Sequence, residues 1–174
     1  MPLWTNSDGL RVRSGLTEAE GSLVGKPSAK GTQQEIVCIL EASRMDLTGG
    51  LIDPDSTVAI PANSRIVSAR LVVTEAFDSG GAATLDLGLA NADGTYTNLD
   101  EDGIDTAIAE ADIDTAGKAV VCDGALVGAT SGALTSVISY PSYDVDTAAF
   151  TTGKAFLTIV YETMPFVSAT EPQA

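Results

Sequence analysis

The sequence predicts an all-β protein: an antiparallel β-sandwich, jelly-roll or Ig-like, with an extended N-terminal arm and at most one short helix. Three observations lead there. Apolar and polar residues alternate with a period of two in several runs, the pattern of strands with one buried face. Clusters of Gly, Pro, Asn and Asp separate those runs, and strands do not alternate with helical patterns. Aromatics are only 5 % of a chain that is 44 % hydrophobic, so small and β-branched residues must fill the core, which suits thin, closely packed sheets. A length of 174 residues fits one domain with an appendage, divided here into an arm (1–31), a sandwich (32–165) and a tail (166–174).

The arm is punctuated by Pro2, Gly9, Gly15, Gly21, Gly25 and Pro27 and has no sustained period. Leu3, Trp4, Leu10, Val12 and Leu16 make it too apolar for a solvated tail, so it is expected to dock, either on its own body or on a neighbouring subunit. Trp4, Leu10, Arg11 and Arg13 are the candidate partner-binding residues, because Trp and Arg dominate interface energetics.

The run from Gln33 to Glu41 is strand-like and apolar on both faces in its middle, which predicts a central strand. A loop punctuated by Gly49-Gly50 and Asp53-Pro54 leads into Thr57–Ile60. Pro61 ends that piece, and a new strand begins near Arg65. From Ile60 to Leu89 two alternating arms flank Asp78-Ser79-Gly80-Gly81, the signature of a β-hairpin. Val67, Ala69, Leu71 and Val73 share one face of the first arm, and Leu85, Leu87 and Leu89 share one face of the second.

Asn91–Gly94 supplies the next turn, and Tyr96 opens a short strand or loop. Between Asp93 and Asp114 stand eight acids and no base. Within that stretch Ile104, Ala107, Ile108 and Ala111 keep helical spacing, which predicts one or two turns of amphipathic helix. Three strands follow: Lys118–Cys122, Leu134–Tyr140 closed by Pro141, and Lys154–Glu162. In the last, Phe156, Thr158 and Val160 lie on one face and Leu157, Ile159 and Tyr161 on the other.

The net charge is −15 and there is no histidine. No imidazole is present to act as general base, triad member or metal ligand. Direct binding to nucleic acid is not expected, since phosphates need clustered Lys and Arg. Residues 1–44 are balanced, with five bases and five acids, whereas the remainder has four bases against nineteen acids. Cys38 and Cys122 each sit in an apolar run and read as free, packed thiols, a disulfide being the alternative. Residues 1–14 lack the apolar stretch of a signal peptide and no 18-residue apolar run occurs, so neither export nor membrane insertion is expected.

No enzyme is expected. The serines have no histidine partner, the carboxylates crowd into turns without aromatic platforms, and the Gly124–Gly132 segment lacks the lysine of a phosphate loop. Asn98–Ile104 resembles the start of a calcium loop, but Ala109 stands where the bidentate glutamate belongs and Glu110 comes one place late. A looser cation site drawing on Asp100, Asp102 and Asp105, with Asp93, is the candidate metal set, against a plainly solvated acidic loop. No cofactor is expected.

Three stretches together cover about a third of the chain: Ile60–Leu89, the opening P-L-W-T-N-S-D-G-L-R-V-R, and the later A-A-F-T-T-G-K-A-F-L-T-I-V-Y. With the acidic balance, this set resembles the small capsid decoration, or cement, proteins of tailed bacteriophages. The resemblance implies a structural β-sandwich subunit, commonly a homotrimer, on the outside of the capsid in the virion. It would bind the major capsid protein and tie neighbouring subunits together, partly through its arm. No catalytic residue carries over. The rival reading is a head- or tail-fibre module that recognises a host-surface glycan, whose marker would be aromatics clustered in exposed loops.

Overall fold

The computed structural model describes residues 33–52, 59–91, 98–128 and 137–163. The predicted arm and tail lie outside the described residues, as do Trp4, Leu10, Arg11, Arg13, Asp93 and Tyr96.

The described residues form eight strands: β1 Gln33–Glu41, β2 Gly50–Leu51, β3 Ser64–Ser79, β4 Thr84–Asn91, β5 Asn98–Ala109, β6 Ala119–Cys122, β7 Ser139–Asp146 and β8 Phe150–Thr163. A one-turn helix, α1 Glu110–Ile113, joins β5 to β6. The strands make two four-stranded sheets, ordered β1-β8-β3-β6 and β2-β7-β4-β5, with every pairing antiparallel. Pairing β1 with β8, β2 with β7, β3 with β6 and β4 with β5 is what results when one long hairpin is folded over on itself. Of the two sandwich types expected, this is the jelly roll.

The expected hairpin about Asp78–Gly81 is overturned. β3 belongs to the first sheet and β4 to the second, so the chain crosses between sheets at this turn. A period of two reveals which face of a strand is buried, but not whether the next strand pairs beside it or faces it across the core. Here the arms face one another: Leu71 and Val73 from β3 join Leu85, Leu87 and Leu89 from β4 in one core with Leu157 and Ile159 of β8. The crossing is held by Glu110, whose carboxylate accepts hydrogen bonds from the Ser79 hydroxyl, the Ser79 N–H at 3.3 Å and the Ala83 N–H at 3.4 Å. The acid that came one place late for a calcium loop therefore anchors a turn.

Four other expectations need correction. β1 is an edge strand, and its Val37 and Ile39 are 48 % and 41 % exposed. In β3, Ile66 pairs with Tyr161 and Ser68 with Val160, which leaves Val67 as the extra residue of a bulge. Inward positions therefore shift from Ser64 and Ile66 to Ala69, Leu71 and Val73, and Val67 is not among them. The predicted helix over 104–111 is mostly strand: β5 runs to Ala109, burying Ile104 and Ile108, and only Glu110–Ile113 coils. Finally, β7 begins at Ser139 and runs through Pro141. The N and C=O of one residue in a strand point to the same side, and the Pro141 carbonyl accepts from Ile52 N–H at 3.1 Å. The missing proline donor thus faces the short β2 edge and not β4.

Two glycines are dictated by close approach. Between Leu87 and Leu89 of β4 only Gly88 intervenes, whereas their partners Asp105 and Asp100 enclose residues 101–104. That extra chain loops over Gly88 so closely that a Cβ would lie 2.1 Å from the Asp100 carbonyl oxygen. Gly153 has φ +136°, and a Cβ there would lie 2.3 Å from the Phe77 ring, which in turn packs edge-on against Phe150 at 5.2 Å between ring centroids. Gly153→Ala combines a disfavoured backbone with overpacking and is expected to cost about 2–4 kcal/mol in urea unfolding at an unchanged m-value.

Candidate interaction surface

The outward face of the first sheet follows from strand register. One row across it is Ile39, Phe156, Val72 and Ala119; the next is Val37, Thr158, Arg70 and Val121; a third is Glu35, Val160 and Ser68. These are the residues left facing away once Leu157, Ile159, Ala69 and Leu71 turn inward. Val121 is 75 % exposed, the most exposed large hydrophobic residue described. Beside it a shallow hollow of about 360 Å³ is lined by Ser68, Arg70, Val72, Val121, Thr158 and Val160.

Charges are paired off at both ends of this face. At one end Lys154 donates to Glu41 at 2.6 Å, and Arg44 lies 3.7 Å from the same carboxylate. The Lys154 hydrogen bond and charge hold the Glu41 carboxyl below its ordinary range. At the other end Arg65 pairs with Glu162. Lys118 bonds Asp114 at 2.7 Å beyond α1. Of the five cations between residues 33 and 163, four are thus in ion pairs. Arg70 stands in the middle of the apolar rows with no ion-pair or hydrogen-bond partner among the described residues.

The second sheet presents the opposite character. On its outward face Asp86 stands across from Asp144, with Asp146 exposed at the strand end. Asp86 accepts the Ala107 N–H, where the backbone takes a positive φ of 52°.

The three candidate metal ligands serve different environments. Asp100 is half-buried, and burial followed by its hydrogen bond to Asp102 raises its pKa. Asp102 is exposed. Asp105 is only 6 % exposed, where β5 closes against the Cys122 end of β6. Burial raises the Asp105 pKa, opposed by the Thr106 N–H that it accepts at 2.9 Å. Among the described residues no group of three His, Cys, Asp or Glu side chains is placed to hold a metal ion. Cys38 and Cys122 are free and buried, the Cys122 thiol pushed up to about 12 by burial first and then by Asp105. Tyr143 and Phe150 are core residues, the Tyr143 hydroxyl donating to the Arg44 carbonyl at 3.0 Å.

Alternation alone puts Ser68, Arg70 and Val72 on one face of β3 and does not mark them as a site; only the register brings Val37, Phe156, Val121 and Val160 alongside.

No protein-family model matches the sequence, and no curated protein matches it. Solved structures do. A chain in the capsid of Ralstonia phage GP4 matches over 88 % of this chain and 92 % of its own, at 15 % identity and a TM-score of 0.51. A chain in the acidic stable capsid of Helicobacter pylori bacteriophage KHP30 matches over 75 % and 92 %, at 16 % identity and a TM-score of 0.41. A chain in the cyanophage Pam1 capsid asymmetric unit matches over 87 % and 100 %, at 13 % identity and a TM-score of 0.48. The GP4 match extends over nearly all of both chains, so the two share a fold and a size.

Asp105 supplies a pH test. Because its folded pKa is raised, ionisation disfavours the folded state, so its penalty is absent below the unfolded value of about 4 and grows as pH rises through the folded value. Asp105→Asn keeps the acceptor for Thr106 and removes the charge. Its thermal midpoint should exceed that of the parent at pH 7, and the gain should vanish on titration to about pH 3.5.

Proposed function

We propose that the chain is a structural virion protein that binds the outer surface of a phage capsid and stabilises it by bridging neighbouring shell subunits. The observation that carries this reading is the match, at nearly equal length, to a chain of the GP4 capsid. A fold match of this kind gives no chemistry by itself. The surface adds to it: an open apolar sheet face is unusual for a free monomer and normal for a protein that lives against another.

Stabilisation works by mass action. Every copy that binds the assembled shell and not its separated subunits shifts the equilibrium toward the shell, by RT ln(1 + [L]/Kd) per site. A homotrimer seated about a local threefold position touches several shell subunits at once, and bound in that way it bridges them. Residues 1–31 form the arm that reaches along the shell, with Trp4 and Leu10 as apolar anchors and Arg11 and Arg13 as polar ones. No catalytic step, metal or nucleic acid enters. The rival glycan-binding reading relies on exposed loop aromatics, and Tyr143 and Phe150 are in the core.

Two outcomes are expected with shells assembled from the major capsid protein encoded in the same genome. The full chain saturates at one copy per repeating shell site and raises the temperature at which shells come apart. Deleting residues 1–16 weakens binding at least tenfold; unchanged binding means the arm is not a tether. Binding of only a few copies per particle contradicts the bridging role.

A further inference from the structure

The structure points to a second contact, independent of the arm: we infer that the outward face of the β1-β8-β3-β6 sheet, centred on Arg70, docks on an apolar patch of the shell protein that carries a carboxylate. The inference rests on the virion reading above and names the surface and the chemistry of its partner.

The chain carries −15, yet the rows Ile39-Phe156-Val72-Ala119 and Val37-Thr158-Arg70-Val121 contain one charge, and it is positive. Each of the other four cations between residues 33 and 163 has a carboxylate partner, so an arginine with none among the described residues is placed for an acceptor outside the chain. Its setting favours a strong bond. Val72, Val121, Val160 and Thr158 line the hollow around it, and a partner seated there excludes water from the guanidinium, which strengthens a bidentate pairing with a carboxylate. The ion pairs Glu41–Lys154 and Arg65–Glu162 lie at the two ends of the face and form a self-neutralised rim.

A second copy is a poor occupant. Packing two such faces about a twofold axis at Arg70 sets the two guanidiniums side by side, while Glu35 of the adjacent row lies on the edge strand β1, two strands from Arg70, and Glu41 and Glu162 are already in ion pairs. Packing the face on the acidic outward side of the second sheet of another copy satisfies Arg70, but the two surfaces lie on opposite sides of the sandwich. Such head-to-tail contacts propagate as an open stack and do not close into a trimer.

The test uses full-length variants and the same assembled shells. Arg70→Glu and Val121→Asp change exposed positions, so thermal midpoints should match the parent, and each should weaken shell binding at least tenfold. Asp146→Lys, on the outward face of the other sheet, should bind as the parent does. Arg70→Gln should also weaken binding; if it binds like the parent while Val121→Asp fails, the partner has no carboxylate and that half of the inference is overturned. A Ser68→Cys variant should react rapidly with a maleimide when free and at least tenfold more slowly on shells. Slow labelling of the free chain means that another copy or another part of the chain already covers the face, which overturns the inference. If the parent itself does not bind shells, the virion reading fails; if the parent binds and both face variants bind equally well, only this inference fails.

Discussion

Everything in this fold depends on burying one face of β3 and β8 against the leucine row of β4. Leu71, Leu157 and Ile159 come from one sheet, Leu85, Leu87 and Leu89 from the other, and all are essentially inaccessible to water. With few aromatics available, the apolar area must come from many medium-sized side chains in close contact, which obliges the sheets to lie near each other. The steric demands at Gly88 and Gly153 arise between neighbours of one sheet: the 101–104 chain of β5 lies over Gly88 of β4, and the Phe77 ring of β3 lies over Gly153 of β8. The bulge at Val67 lets β3 keep an inward residue at both of its ends while the strand bends to follow β8.

Once those inward faces are committed, period two decides what remains outside. On β8 the leftover side chains are Phe156, Thr158 and Val160, and on β3 they are Ser68, Arg70 and Val72. Neither strand is polar enough on its outer side for a face meant only for water. The opposite sheet sends Asp86, Asp144 and Asp146 outward, so the sandwich is two-sided: an acidic side suited to solvent, and a side whose two middle rows carry Arg70 as their one charge between the ion pairs Glu41–Lys154 and Arg65–Glu162. In a protein with so large a net negative charge, that less acidic side is where approach to another protein meets least repulsion.

Much of this architecture was legible in the residues. The all-β class, the Gln33–Glu41 strand and the inward residues of β4 and β8 follow from local alternation, because burial of one strand face is a local property. What alternation does not encode is the partner of each strand. Asp78–Gly81 has the composition of a hairpin turn and serves as an inter-sheet crossing, since both uses require the chain to reverse. Gln33–Glu41 is apolar on both faces, which reads as a central strand in a monomer and fits equally an edge strand whose outer face is not left to water. The spacing of Ile104 and Ile108 is shared by one face of a helix and by a strand that skips one polar residue. The Arg70 site was illegible for the same reason: its neighbours come from β1, β6 and β8, distant in sequence and joined only by register.

On the proposed reading the Arg70 face, and not the acidic one, meets the capsid, and a reconstruction of the intact virion separates the two. The expected result is jelly-roll density on the outer surface of the shell, with the β1-β8-β3-β6 sheet turned toward the shell protein and an acidic side chain of that protein against Arg70. Density inside the shell, or an outer subunit with Arg70 and Val121 facing solvent, contradicts it.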